Sequence, residues 1–257
     1  MFLVRYSQLR IVVLLFLLQV RVKKTYWKQI KTRYNHLHTS KLTYMSIKRE
    51  KIEHIKKVLF TLYPDAKTEL HYENTFQLLV AIIMSAQTTD KQVNKVNETF
   101  FQVLKTPQDG VKLWEEAIKK AINRVNFFNN KGKSIYKLCQ LLSQAQWKIP
   151  QKLEELVKFP WVGIKTAKVF LAVVHDAPLL AVDTHVHRVL NRLWVVKAKT
   201  PLETNAQAEK IFTTDDNAKL HHSLIFFGRY HCTARSPKCG KCELQDVCAY
   251  YKKNPTK

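Results

Sequence analysis

The stretch Leu153 to Val173, LEELVKFPWVGIKTAKVFLAV, sets apolar residues three and four apart on both sides of a break at Pro160 to Gly163. This pattern predicts a helix, a tight turn and a second amphipathic helix. Pro160 ends the first helix, because proline has no N–H to donate and its ring collides with the preceding turn. Gly163 is expected to take a positive φ, so that the N–H groups opening the second helix turn outward. Outward N–H groups at a helix N-terminus suit a DNA phosphate. An ordinary helix-helix turn uses the same residue types, and this stretch alone leaves both readings open.

The helical period continues on either side. From Met45 onward few β-branched residues alternate, and the fold class expected is all-α. Asn74 is placed to cap a buried helix through Phe76, Leu78, Leu79, Ala81 and Ile82 to Ala86, and Thr89 or Asp90 to cap the next. Further helices are expected near 110–121, 132–145, 151–158, 165–175, 184–194, 203–212 and 218–230. There is no repeat of fixed period.

At 257 residues and 46% hydrophobic content the chain is long enough to bury a sizeable core. Its 43 Lys and Arg against 20 Asp and Glu give a formal charge of +23, which favours a polyanionic partner, although a solvated basic surface would show the same count. Residues 1–44 hold nine of these basic residues and no acidic one. Without them the remainder still stands at +14, which points to a phosphate-binding surface. Leu9 to Val20 (LRIVVLLFLLQV) is apolar but short for a membrane span. Three readings compete for this leader: a cleaved signal, a basic organelle-targeting extension, or upstream sequence with the start at Met45. The last two are favoured, because reduced metal ligands and DNA chemistry fit poorly with secretion. The expected location is cytoplasm or nucleoid, or a DNA-containing organelle if the leader targets one, with no membrane partner.

Four of the five cysteines, Cys232, Cys239, Cys242 and Cys248, are separated by six, two and five residues, while Cys139 stands apart. Such clustering in a cysteine-poor chain reads as metal ligation in a reducing compartment. Paired zinc knuckles would need two close pairs and only Cys239 and Cys242 form one, yet four thiolates serve zinc or a 4Fe-4S cluster. Four protein ligands leave no open position, so the metal is structural or redox-sensing. Arg235 and Lys238, between the first two ligands, are candidates to meet phosphates.

The hairpin, the run Ser85 to Asp90 (SAQTTD), the run Ala181 to Val189 (AVDTHVHRV) and the cysteine cluster occur in one order. In that order they resemble the endonuclease III family of helix-hairpin-helix DNA glycosylases, over about residues 45–250. The resemblance implies a six-helix barrel domain over 67–177, containing the hairpin 153–173. A cluster domain would be built from 45–66 plus 178–257, with its loop at 232–248, and a central cleft would lie between the two. It implies a 4Fe-4S cofactor on the four cysteines, and monomeric base-excision repair of duplex DNA bearing damaged bases or abasic sites, oxidised pyrimidines above all. Lys165 would be the Schiff-base nucleophile and Asp183 the carboxylate that assists it, with β-elimination cutting the strand 3′ to the lesion. Gln87 would fill the gap left by the extruded nucleotide, Phe127 would wedge the helix, and Gly163, Thr166, His185 and Arg188 would meet DNA.

On their own terms these residues have plainer uses. Lys165 could be a solvated first-turn residue, Asp183 an N-cap, and Phe127 core. Three positions depart from the family pattern: Trp161 stands at the first hairpin glycine, Ile164 where an arginine is common, and Asn126 at a common glycine. Two alternatives are an adenine-type glycosylase, which lacks the lysine, and a non-catalytic hairpin protein that binds DNA with a metal loop.

Overall fold

The computed structural model describes residues 48–213 and 216–255, so the leader segment 1–44 lies outside the described residues. The chain divides into two units at His54 and Ile55. Of the first, 48–54 are described, and they are helical. In the second, residues 55–62 form α1. Then follow α2 (Thr75–Ser85), α3 (Asp90–Val103), α4 (Pro107–Ala121), α5 (Phe128–Gln144), α6 (Leu153–Leu156), α7 (Ile164–His175), α8 (Thr184–Arg192), α9 (Pro201–Ala208), α10 (Asn217–Phe226) and α11 (Ala249–Lys253). A π turn, Phe227–His231, continues α10, and a 3-10 turn, Cys239–Lys241, lies in the cysteine loop. There is no strand among the described residues, and the all-α expectation stands.

Local chemistry sets the ends. Asn74 caps α2 by accepting from the N–H of Gln77 at 2.9 Å, and Thr89, the first of the two residues offered for the next cap, opens α3. Thr106 and Asp109 form a reciprocal capping box at α4, which starts earlier than the apolar period indicates because Pro107 fits the first helical position. The helix expected over 151–158 is a single turn, Leu153–Leu156, and Pro160 disfavours helical backbone at Phe159 just before it.

Helix α2 is buried along its length from Phe76 to Met84, as a helix apolar on nearly every side must be, and its one buried amide, Gln77, donates to the carbonyls of Phe101 and Leu104. It packs on α3, α5 and α7, while α4 lies along α5 and α6 against α7. A second group forms around α8, which packs on α9, α10 and the π turn. A β-carbon on Gly228 would stand 2.8 Å from that of His185, so its missing side chain lets the π turn press against α8. Cys139 is fully buried against Gly110, and burial, with Asp109 second, pushes its thiol up to about 12.

The hairpin turn differs from expectation in one respect. Gly163 sits at φ −74° and ψ 169°, extended backbone that caps α7, and the left-handed residue is Trp161 at φ 62°. The chain reverses immediately after Pro160, so Gly163 enters α7 without a positive φ. Nothing lies within 4 Å of where a Gly163 β-carbon would be, and the backbone there is open to approach from outside.

Candidate active site

Lys165 and Thr166 stand in the first turn of α7, Asp183 at the N-cap of α8, and Gln87 in the loop after α2. All four line one cavity of about 210 Å³, together with Asp90, His221, His222 and Arg229. Lys165 is exposed at its mouth. Asp183 does what a cap does, accepting from the N–H of Val186 through Oδ1 at 2.8 Å. Its other oxygen makes no hydrogen bond among the described residues.

The remaining charges of the cavity are settled by burial and pairing. His221 is 1% exposed and its ring nitrogens have no partner among the described residues. Burial, then His222 and Lys165, hold its pKa well below the usual imidazole range. Burial and then Arg229 lower His222 to about 4. Both rings are therefore neutral at pH 7. Arg229 pairs with Glu69 and, at 2.8 Å, with Asp90, and Tyr230 donates to Glu69 at 2.6 Å. Asp183 and Asp90 each keep one carboxylate oxygen with no hydrogen bond among the described residues, and of the two Asp183 makes no ion pair there. Sequence reasoning missed His221 and Arg229, because neither α10 nor the π turn that continues it carries a pattern that marks either.

Gln87 and Phe127 both take left-handed backbone, φ 56° and 59°, and both are exposed. Phe127, 59% exposed, is not a core residue. Three groups join their loops. The backbone N–H of Asn126 donates to Thr88 Oγ1 at 3.1 Å, and its side-chain Nδ2 to the Gln87 carbonyl at 2.5 Å. Lys131 Nζ, on a residue 3% exposed, donates to the carbonyls of Met84 at 2.7 Å and Ala86 at 2.5 Å, and to Thr88 Oγ1 at 3.3 Å. Burial brings the Lys131 amine down to about 8.

His185 and Arg188 are placed differently from the rest. Arg188 donates through Nε to the Cys232 carbonyl at 3.1 Å and through Nη2 to the Gly228 carbonyl at 2.7 Å, with His185 Nδ1 3.2 Å away. These half-buried groups tie α8 to the π turn and the cysteine loop rather than facing the cavity.

The four cysteines line one enclosed pocket with Arg192, Leu193, Phe227 and Tyr250, and all are free thiols. Four cysteine thiols around one pocket are the donor set that a 4Fe-4S cluster takes. Burial raises Cys239 and Cys242, the latter to about 11, and the neighbouring thiols add to both shifts. Iron at their centre supplies the positive charge that would hold them as thiolates. Arg192 braces the loop, donating to the carbonyls of Thr233 and Ala234 at 2.7 and 2.9 Å and reaching Cys232 Sγ at 3.3 Å. Arg235 and Lys238 are exposed on this loop.

Residues 80–214 match the model of the HhH-GPD superfamily base excision DNA repair proteins, and residues 232–248 that of the iron-sulfur binding domain of endonuclease III. The chain is 43% identical to endonuclease III of Rickettsia conorii over 73% of its own length and 90% of the relative's. It is 37% identical to that of Escherichia coli K12, over 74% and 90%. Among solved structures, a non-covalent endonuclease III–DNA complex superposes with a TM-score of 0.76 at 37% identity, covering 81% of this chain and 99% of that one. A trapped endonuclease III–DNA covalent intermediate gives 0.75 at 38%, covering 80% and 97%. With its cavity, hairpin and four-cysteine loop in this arrangement, the chain belongs to the endonuclease III family: a DNA-binding base-excision glycosylase with abasic-site lyase activity and a 4Fe-4S cluster.

Proposed function

We propose that Lys165 is the nucleophile and Asp183 its carboxylate partner, acting on oxidised pyrimidines and abasic sites extruded from duplex DNA. The observation that supports this most directly is their meeting, from two different helices, in one cavity. Asp183 takes a proton from the Lys165 ammonium through the oxygen that capping leaves unused. The neutral amine attacks C1′, the base leaves, and Asp183 offsets the positive charge that develops on the sugar. The opened sugar and Lys165 form a Schiff base. Loss of a C2′ proton then breaks the C3′–O bond, and water returns the lysine. A stacked nucleotide hides C1′, so the target must leave the helix; Gln87 fills the space and Phe127 wedges the step beside it.

In this reading the helices of 67–177 and those of 178–257 flank the cleft as two domains, and their packing into separate groups supports it. The open backbone at Gly163 and the first turn of α7 receive a phosphate. Arg235 and Lys238 meet the DNA from the cluster loop. The enzyme works as a monomer in the compartment that holds the DNA. No helix among the described residues is long and apolar enough to cross a membrane.

Borohydride trapping on abasic duplex DNA tests the chemistry. A covalent adduct is expected with the wild-type chain and none with Lys165→Ala. An undiminished adduct in that variant would move the nucleophile elsewhere.

A further inference from the structure

We propose that Lys131, Asn126 and Thr88 form a clamp that makes the Gln87 and Phe127 loops one rigid insertion unit, so that gap filling and wedging occur together. The proposal rests on the reading of Gln87 and Phe127 given above. Left-handed backbone at a residue with a β-carbon persists only where its surroundings hold it. Here Asn126 fixes the Gln87 carbonyl, Thr88 Oγ1 takes a bond from each of Asn126 and Lys131, and Lys131 closes the C-terminal carbonyls of α2. An ammonium at a helix C-terminus also meets the negative end of the helix dipole. Lys131 belongs to α5, whose N-cap is Phe127, so the Gln87 loop is anchored on the helix that Phe127 opens. Asn126, a departure from the family's common glycine, thereby acquires a use: its side chain makes a bond that glycine could not make. These are positioning residues, and none of the three touches Lys165 or Asp183 in any hydrogen bond or ion pair of the described residues.

The test uses the full chain on an abasic-site duplex with 2-aminopurine opposite the lesion, whose fluorescence rises when that base loses its stacking. Cleavage of the same site in single-stranded DNA is the reference. Lys131→Met is expected to lower the duplex to single-strand rate ratio about tenfold, and Asn126→Ala about threefold, with the fluorescence rise reduced in both. Asn126 is exposed, so its variant decides the matter if Lys131→Met does not fold. Wild-type ratios in both variants, with Gln87→Ala impaired, would overturn the clamp. A wild-type signal in Gln87→Ala would instead remove the gap-filling reading on which the clamp stands.

A different observation carries a second inference. All four tryptophans among the described residues have positive φ: Trp114 63°, Trp147 66°, Trp161 62° and Trp194 56°. None of the five glycines does. Trp114, with ψ 160°, lies in a region that is essentially glycine-only and interrupts α4. A bulky residue in such backbone is an outlier, and the usual compensation by burial is missing, since the four are 70%, 40%, 59% and 53% exposed. We infer that glycine occupies these four positions in the protein as its own cell makes it, the codon there being decoded as glycine. The hairpin would then read FPGVGIK, which also removes the departure at Trp161. Mass spectrometry of the protein isolated from the cells that encode it decides this. The tryptic peptide spanning Phe159 to Lys165 is expected to be lighter by the difference between tryptophan and glycine. Intact tryptophan in that peptide and in those covering Trp114, Trp147 and Trp194 would overturn the inference.

Discussion

At the scale of single residues, Asp183 caps α8 and, in the proposed mechanism, also serves Lys165. Asparagine caps a helix as well as aspartate does, so Asp183→Asn should keep the bond to Val186 while losing the charge. The thermal midpoint is expected to stay within about 2 °C and the borohydride adduct to form at least about a hundredfold more slowly. A melt and a trapping time course on one preparation check both. That Lys165 and Asp183 would lie near one another was legible in the sequence through motif order, and both line one cavity. Arg188 was not legible, since one sequence does not say whether an arginine meets solvent or a buried carbonyl. Lys131 left a faint trace: it falls in register with Ile135, Leu138 and Leu142, the buried face of α5. A lysine in the run Asn129 to Lys133 otherwise reads as surface.

At the scale of elements, period and caps were legible and turn handedness was not. The 3.6-residue repeat and the capping residues come from local chemistry, and they located the helices to within a few residues. Which residue of the hairpin turns left-handed depends on how its two helices close, and that assigned the turn to Trp161 instead of Gly163. Local chemistry also gives a plain prediction. Thr106→Ala removes half of the α4 capping box and should cost about 1 kcal/mol, a fall of roughly 2 to 4 °C in the melting midpoint. Trapping by Lys165 should be unaffected, because α4 does not line the cavity.

Across the whole molecule, buried neutral histidines tie stability to pH. The imidazole of His222 is lowered to about 4 when folded, against its usual value near 6.5 when unfolded. Between these limits the unfolded chain binds the extra proton, so stability is whole above 6.5 and drains as pH falls toward 4. The slope for this residue is at most about 1.4 kcal/mol per pH unit. Melting curves over that window should steepen in the wild type and flatten in His222→Gln; parallel curves would remove the histidine from the account. Net charge supplies another whole-molecule expectation. DNA affinity should fall linearly on a log scale with salt, and each basic loop residue removed, Arg235 or Lys238, should reduce the slope by about one. Over nine residues α8 places Asp183 at one end and Arg188 and Arg192, gripping the carbonyls of Cys232, Thr233 and Ala234, toward the other. It works as a drive shaft about 13 Å long, and a single inserted residue would rotate its far end by roughly 100°. The aim of the Asp183 carboxylate is thus machined by peptide carbonyls about fifty positions further along the chain, and a loop that loses its shape will be felt first as a misfire in the cavity.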